Sequence, residues 1–387
     1  MHVVVVGGGF AGIKTALELS KRQVGKIMLI SDQSYFLHHA TLYATATGRS
    51  TEESVIPLNL IFANHPNVTI VEDRITALEP HRKLIRSKDR SYHYDKLVLA
   101  LGSETTYFNI SGLKKHAFGI KTFEEVQEFH SHIYEDIVQQ KLDKEYFIIG
   151  AGPSGVEMAG ALNTYLKSLV SLHRLKNARP KVTLVEAKQR ILPKLSNTAA
   201  EKTAHQLKKQ GVRVLVNHEV TALEGDAITI DSKLYPTSTA VWTSGMVNNT
   251  FYKKNSEYFE FGDADRVYVN PYLEALENVY VIGDNNTVKY SGMAWPAMQQ
   301  ATHVAKNIVR SATKRPQKHF RPRSVPVSFP VGEKWGYVEW FGLYIAGQFG
   351  GVVRRWIELY GYCQLLPLHV ALPIWRSRDV SDVDGLL

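Results

Sequence analysis

The chain has 387 residues, and its composition of 44% hydrophobic and 21% charged residues is that of a globular protein long enough for two domains. Its single cysteine, Cys363, excludes an intrachain disulfide, a cysteine-based metal cluster and any electron relay through a paired dithiol. The net charge of +9 favours anionic partners, and since no nucleic-acid module accompanies it, we expect anionic lipid or cofactors rather than nucleic acid.

The N-terminus has the pattern of a dinucleotide-binding βαβ unit. His2–Val6 is a β-branched run typical of a buried strand, and after a glycine-rich turn Ile13–Lys21 has helical periodicity. A second strand, Lys26–Ser31, ends at Asp32, an acid placed to contact a ribose. The alternative is a glycine-rich turn without a ligand. The turn residues predicted to contact a pyrophosphate are Gly7, Gly9, Phe10, Ala11 and Gly12.

The same pattern recurs in mid-chain. Tyr146–Ile149 predicts a strand, Val156–Val170 a helix, and Val182–Val185 a strand that ends at Glu186. A carboxylate at Glu186 would contact the adenosine ribose and repel a 2′-phosphate, which favours NADH over NADPH. The turn residues predicted to hold this second dinucleotide are Gly150, Gly152, Pro153 and Gly155.

Two further strands end at small residues, where the backbone of a cofactor can approach closely. Lys96–Ala100 leads to Gly102, and Val279–Ile282 leads to Gly283 and Asp284. Asp284 is predicted to meet the ribityl chain of a flavin, and the alternative is an aspartate that caps a turn or helix.

Helix N-termini supply the next candidates. The helix predicted at Pro296–Ile308 carries Ala297 in its first turn, and its partial positive charge would face the pyrimidine edge of a flavin. Glu157 stands in the first turn of the mid-chain helix, where a carboxylate could relay protons in the cofactor cleft. The alternative for Glu157 is a carboxylate that faces water at the positive end of the helix dipole.

The two glycine turns lie 143 residues apart (position 7 to position 150), which suits one dinucleotide domain inserted into another. The predicted fold class is therefore α/β with two Rossmann-like domains. We place an FAD-binding domain at residues 1–112 and 268–325, and an NADH-binding domain at residues 113–267.

Residues 326–387 have a different character. A proline-rich linker is predicted at Pro322–Pro330, and the uncharged runs Trp340–Val353 and Leu359–Trp375 follow. The second run has 17 residues and two prolines, which makes it too short and too interrupted to span a bilayer. We expect an interfacial element on anionic lipid, although a dimer interface or a core would have the same composition. The arginines predicted to face the lipid are Arg354, Arg355, Arg376 and Arg378.

Four segments outside the glycine turns resemble the membrane-associated type II NADH dehydrogenases, and the likeness covers about residues 1–310. The resemblance implies a glutathione-reductase-like fold without the dithiol, FAD as cofactor, peripheral attachment to the membrane, and non-pumping NADH:quinone reduction. It also implies that Glu157 lies beside the nicotinamide and the flavin. The segments are residues 35–48, 94–103, 117–122 and 241–245, and the last of these ends at Gly245, a predicted cofactor contact.

The quinone side departs from the family pattern. The Ala-Gln pair of the family is replaced here by Ala294 and Trp295, and Gln299 and Gln300, one turn further on, fit the pattern better. The indole of Trp295 could stack on a quinone ring or narrow the site. Gln33 also replaces an arginine that usually follows the first acid.

The sequence therefore predicts an FAD-dependent NADH:quinone oxidoreductase. We expect it at the cytoplasmic face of the cell membrane, because the chain starts with a predicted strand instead of a signal peptide. The rival hypotheses are an NADH oxidase that uses oxygen, a reductase that serves a protein acceptor, and a non-enzymatic protein that binds flavin and NADH. A homodimer is an open possibility.

Overall fold

The computed structural model describes residues 1–382. The strands are β1 (His2–Val6), β2 (Lys26–Ser31), β3 (Tyr35–Leu37), β4 (Val55–Pro57), β5 (Val68–Glu72), β6 (Ala77–Glu79), β7 (Leu84–Arg86), β8 (Ser91–His93), β9 (Lys96–Leu99), β10 (Ser103–Thr105), β11 (Glu145–Ile149), β12 (Lys181–Glu186), β13 (Arg213–Val216), β14 (Val220–Glu224), β15 (Ala227–Ile230), β16 (Lys233–Pro236), β17 (Ala240–Trp242), β18 (Met246–Asn248), β19 (Glu274–Leu276), β20 (Val279–Val281), β21 (Val327–Val331), β22 (Trp335–Trp340) and β23 (Leu343–Gly347). The α-helices are α1 (Phe10–Lys21), α2 (Leu42–Thr45), α3 (Leu58–Ile61), α4 (Leu113–His116), α5 (Phe123–Val138), α6 (Pro153–Leu172), α7 (Asn197–Gln210), α8 (Thr250–Lys254), α9 (Ala294–Ala312), α10 (Gln348–Cys363) and α11 (Leu368–Ser377).

The larger sheet has six strands in the order β19-β20-β9-β1-β2-β5. β1 pairs in parallel with both β2 and β9, and four of its five residues are buried, as expected for a central strand covered on both faces. The predicted bounds of β1 and β2 are confirmed. Helices α1 and α9 pack against each other, so the sequence-distant strands and helices form one core.

The second sheet contains only parallel pairs, in the order β13-β12-β11-β17. Helix α6 follows β11 and is longer than predicted, because Pro153 occupies the first turn, where a missing N–H costs no hydrogen bond. The antiparallel pair β10–β18 joins the segments that enter and leave this unit. The α/β class with two dinucleotide-type sheets is thus confirmed, while the domain limits proposed above stay a prediction.

The C-terminal region is more regular than expected. The prediction of a linker at Pro322–Pro330 is wrong in its second half, because Val327–Val331 forms β21 and pairs with β22 in the antiparallel order β21-β22-β23. Pro330 is tolerated because β21 is an edge strand, where a residue without an N–H does not interrupt the sheet. Pro367 separates α10 from α11, and within residues 1–382 no helix is both long and apolar enough to span a membrane.

Candidate active site

The first glycine turn lies at the carboxyl end of β1, in the middle of the six-stranded sheet. Gly7 has φ +116°, and a Cβ atom there would lie 2.1 Å from the carbonyl oxygen of Ala100. A Cβ atom at Gly12 would lie 1.9 Å from the carbonyl oxygen of Gly7, so both positions accept only glycine. A Cβ atom at Gly9 would meet nothing within 4 Å, which leaves space in front of the turn for a ligand.

The predicted partners of this turn come from adjacent strands. β2 ends at the exposed Asp32, β9 leads to Gly102, and β20 leads to Asp284. The Oγ atom of Ser103 donates to Asp284 over 3.1 Å. The amide of Asn285 donates to the carbonyl oxygen of Gly102 over 2.6 Å. The structure therefore brings Gly102 and Asp284 together, through the side chains of Ser103 and Asn285.

Gly283 lies between helices α1 and α9, at the carboxyl edge of the six-stranded sheet. A Cβ atom at Gly283 would lie 3.5 Å from the Cβ atom of Ala11 and 4.0 Å from that of Ala297. The side-chain oxygen of Gln300 accepts from the N–H of Gly283 over 2.9 Å and from the amide of Asn286 over 2.8 Å. Since Gln300 is fully buried in this arrangement, it positions the turn, and the expectation that it faces a quinone does not fit its geometry.

Aromatic contacts fix two other predicted residues. Phe10 packs edge-to-face on Phe36 with ring centroids 4.9 Å apart. Trp295 stacks on Tyr360 of α10 with ring centroids 5.0 Å apart and an interplanar angle of 29°. Gln299 is half-buried on the same helix as Trp295. The indole of Trp295 thus contacts the C-terminal region directly.

The second glycine turn repeats the geometry of the first. Gly150 has φ +102°, and a Cβ atom there would lie 1.8 Å from the Oγ atom of Ser244. A Cβ atom at Gly155 would lie 1.8 Å from the carbonyl oxygen of Gly150, whereas one at Gly152 would meet nothing within 4 Å. Pro153 then begins α6. The open space again lies in front of a helix N-terminus, where an anionic ligand is favoured.

The predicted ribose acid of this unit is Glu186, at the end of β12. Its carboxylate is buried and accepts from the backbone N–H of Ala151 over 2.8 Å and from that of Lys188 over 2.9 Å. Gly245 has φ +71°, and a Cβ atom there would lie 2.0 Å from the carbonyl oxygen of Thr106. Gly245 therefore lets the segment that leaves the second unit, before β18, pack against the segment that enters it, after β10.

Glu157 lies half-buried in the first turn of α6. Burial raises the pKa of Glu157 to about 8, against the opposing attraction of Arg354 and Arg378. The carboxyl group is therefore largely protonated at neutral pH, which does not fit the alternative of a carboxylate that faces water.

An ion cluster beside Glu157 corrects one expectation from the sequence. Three of the arginines predicted to face lipid surround Glu358 on α10, with N···O distances of 3.4 Å from Arg354, 3.1 Å from Arg355 and 3.6 Å from Arg378. Burial raises the pKa of Glu358, but the arginines outweigh that effect and hold it at about 2. The four-residue spacing of Arg354 and Glu358 could have indicated an ion pair on one face of a helix. The contact from Arg378 could not be predicted in this way, because Arg378 is distant in sequence.

Two more buried ionisable groups were missed by the sequence analysis. Burial raises the pKa of Glu53 to about 7, and within residues 1–382 its carboxylate oxygens have no hydrogen-bond partner. Burial lowers the pKa of Lys121 to about 8, and its ammonium group donates to the carbonyl oxygen of Ser103 next to Asp284. Neither residue belongs to a motif, because each is buried by distant parts of the chain.

Large apolar side chains are exposed on the β22–β23 hairpin and α10. We call this the aromatic surface, and Phe341 and Leu343 at its tip are 76% and 79% exposed. A cavity of about 230 Å³ lies between this surface and Met293, the residue before α9. The other exposed members of the aromatic surface are Trp340, Tyr344, Ile345, Phe349, Val352, Trp356 and Tyr360.

Comparisons with known proteins agree with this geometry. The family model described as pyridine nucleotide-disulphide oxidoreductase matches residues 1–305. A curated relative from Staphylococcus aureus, named Type II NADH:quinone oxidoreductase, is 27% identical over 380 residues, which cover 92% of this chain and 94% of the relative. The resemblance seen in the sequence and the expectation of an oxidoreductase are thereby confirmed.

Two solved structures have the same fold. NDH2 from Plasmodium falciparum in complex with NADH matches with a TM-score of 0.88 at 16% identity, covering 98% of this chain and 97% of that one. The sulfide:quinone oxidoreductase from Aquifex aeolicus matches with a TM-score of 0.80 at 18% identity, covering 99% and 93%. The similarity extends over the C-terminal region as well as both sheets.

Proposed function

The chain belongs to the pyridine nucleotide-disulphide oxidoreductase family, and from that premise we propose that it is an FAD-dependent enzyme that oxidises NADH and reduces a membrane quinone without pumping protons. Bound FAD would supply the connecting chemistry, by accepting a hydride from NADH and passing two electrons to the quinone. The name of the Staphylococcus aureus relative supports both substrates. With one cysteine in the chain, no dithiol takes part.

FAD fits the first site. The open space at Gly9 and the adjacent N-terminus of α1 suit the pyrophosphate, and Asp32 would accept hydrogen bonds from the ribose. Asp284 would contact the ribityl hydroxyls, and the open space at Gly102 leaves room for them. The N-terminus of α9, with Ala297 in its first turn, would stabilise negative charge at the pyrimidine edge.

NADH fits the second site on the same grounds. The space at Gly152 and the N-terminus of α6 suit its pyrophosphate, and Gly245 borders the same edge of the sheet. Each carboxylate oxygen has more than one acceptor position, so Glu186 can bind ribose hydroxyls as well as its two backbone donors.

Glu157 would hold a proton close to the nicotinamide end of this site. A pKa of about 8 lies near the operating pH, which is the range in which a carboxyl group both donates and recovers a proton efficiently. Reduction of a quinone by NADH consumes one proton from the protein or solvent for each hydride, and we assign the transfer of that proton to Glu157.

The observation that carries the quinone proposal is the cavity of about 230 Å³ between the aromatic surface and the start of α9. A lipid-soluble quinone needs an apolar path to the first site, and we propose that this cavity is its entrance. The aromatic and aliphatic lining residues include Trp340, Phe341, Tyr290 and Met293, and Lys194, Ser196 and Glu339 are among the polar ones. The aromatic surface would lie in the interface of the cytoplasmic leaflet, and the net charge of +9 would favour anionic lipid. Trp295 and Gln299, on the adjacent helix, would border the quinone ring.

A rapid-mixing experiment without oxygen tests the proposal. The purified flavoprotein is reduced with one equivalent of NADH and then mixed with a water-soluble quinone or with air-saturated buffer, and flavin absorbance is followed. We expect the quinone to reoxidise the flavin much faster than oxygen. Faster reoxidation by oxygen would instead support an NADH oxidase, and a flavin that NADH does not bleach would support a non-enzymatic binding protein.

A further inference from the structure

Lys121 lies where the chain passes from the first dinucleotide unit into the second. It stands shortly before α5, and its backbone N–H donates to the carboxylate of Glu125 over 2.7 Å. Its side chain contacts β10 and β18, the paired strands that enter and leave the second unit. Lys121 is thus anchored at the junction of the two cofactor units.

The ammonium group of Lys121 lies close to the first site. It donates to the carbonyl oxygen of Ser103, and its Nζ atom is also 3.5 Å from the Oγ atom of that residue. The Oγ atom of Ser103 donates in turn to Asp284 over 3.1 Å. One hydroxyl group therefore separates the ammonium group from the carboxylate that we assign to the ribityl chain of FAD.

No ion pair neutralises the charge of Lys121. Within residues 1–382, its ammonium group has no carboxylate oxygen within 4.0 Å. Burial lowers the pKa of Lys121 to about 8, although Asp284, Glu104 and Glu125 attract the charged form from a greater distance. The side chain is thus half-buried and still mostly charged at neutral pH. Because an unpaired buried charge costs free energy, this cation indicates an anionic partner that residues 1–382 do not supply.

Open space borders these groups. A Cβ atom at Gly102, the residue before Ser103, would meet nothing within 4 Å. Met246 contributes its Sδ atom 3.5 Å from the Nζ atom of Lys121, yet its side chain is 57% exposed. Met246 also follows Gly245, which borders the second site. The space beside Lys121 therefore lies between the site that we assign to FAD and the site that we assign to NADH.

We propose that the ammonium group of Lys121 contacts the flavin and stabilises the negative charge that the flavin gains on reduction. This rests on the proposed function, since it needs FAD in the first site. A fixed cation in surroundings of low dielectric constant favours the anionic form of a neighbouring group. Lys121 would supply a full charge in addition to the partial charge at the N-terminus of α9.

The alternative is a lysine that only ties β10 to the segment before α5. Two neutral replacements separate charge from structure. In Lys121→Gln the amide still donates to the carbonyl oxygen of Ser103, and in Lys121→Met an apolar stem still packs against Met246. Lys121→Arg keeps the charge and changes the shape.

Sulfite binding to the purified flavoprotein tests the proposal without NADH or quinone. Sulfite adds to an oxidised flavin and gives the ring system a negative charge, so its affinity, measured by the bleaching of flavin absorbance, reports the local electrostatics. We expect Lys121→Gln and Lys121→Met to lower the affinity about tenfold, and Lys121→Arg to retain most of it. Lys115→Gln, at an exposed position on α4, is the matched control and should leave the affinity unchanged.

The midpoint potential of the flavin supplies the second readout. Both neutral variants should lower it by about 30 mV, which is the equivalent of a tenfold change for a two-electron couple. Loss of flavin from both neutral variants but not from Lys121→Arg would also support the contact. Unchanged affinity and potential in the neutral variants would overturn the inference. So would a loss that Lys121→Arg does not restore, because shape and not charge would then be its cause.

Failure of the proposed function gives a different result. If NADH did not reduce the flavin, or if quinone did not reoxidise it, the neutral variants would still bind sulfite less tightly than the natural protein. Unchanged sulfite affinity together with normal turnover would overturn the role of Lys121 alone. A natural protein that purifies without flavin would overturn both.

Discussion

Replacing Glu157 by glutamine tests the claim that this carboxyl group holds a proton at neutral pH. Its pKa of about 8 in the folded protein compares with an ordinary value of 4.5, so the folded state binds the proton more tightly than the unfolded chain does. A group of this kind contributes most stability at low pH, and the contribution is lost as the pH rises from 4.5 to 8.

The magnitude follows from linkage. Between pH 6 and pH 8 the free energy of unfolding should fall by about 1.4 kcal/mol for each pH unit because of Glu157 alone. Since the side chain is half-buried and keeps some contact with water, we expect about 2 kcal/mol in total instead of the full value. For a chain of 387 residues, that corresponds to a difference of roughly 2.5 °C in Tm.

The assay is a thermal melt of the flavoprotein at pH 6, 7 and 8. The Tm of Glu157→Gln relative to the natural protein should increase by about 2.5 °C across this range, because glutamine does not titrate. Glu201→Gln, at an exposed position on α7, is the matched control and should show no such trend. A Tm difference for Glu157→Gln that is the same at all three pH values would refute the assignment of a bound proton.

Three further changes address the rest of the molecule. The Tm of Glu53→Gln relative to the natural protein should rise as the pH increases from 4.5 to 7 and then stay constant, since the pKa of Glu53 is about 7. A Tm difference at pH 7.5 equal to that at pH 4.5 would contradict this. Phe341→Ser with Leu343→Ser should remove the protein from liposomes of anionic lipid in a sedimentation assay while NADH still bleaches the flavin, and continued sedimentation would place the contact elsewhere. Gly12→Ala should cause loss of flavin during purification, measured by absorbance per polypeptide, because its Cβ atom would overlap a carbonyl oxygen of the first turn.

The strands and turns of both dinucleotide units could be predicted because their signals are local. A β-branched run that stops at glycine specifies a buried strand and a close backbone approach within about a dozen residues, as at His2–Val6 and Gly7. The acids Asp32 and Glu186 were found for the same reason, since the unit sets their distance from the turn. What the sequence did not contain was the direction of the Glu186 carboxylate.

The C-terminal region could not be predicted in the same way, because its order depends on contacts between distant residues. Arg378 contacts Glu358 and the Tyr43 hydroxyl because α10 and α11 contribute to the same hydrophobic core as the first dinucleotide unit. An arginine in an apolar run has the same local pattern whether it faces lipid or an internal carboxylate. Gln300 illustrates the same point, since helical periodicity does not distinguish a ligand-facing amide from one that fixes a turn.

The acceptor dependence of NADH oxidation by protein bound to liposomes tests the central claim most directly. Vesicles of anionic lipid are prepared with and without a long-chain quinone in the bilayer, and NADH consumption is followed at 340 nm with oxygen removed. We predict sustained turnover only in the vesicles that contain quinone, with one quinol formed for each NADH consumed. The account would be contradicted if vesicles with quinone consumed no NADH while oxygen was absent, and if both preparations consumed NADH at equal rates once oxygen was readmitted.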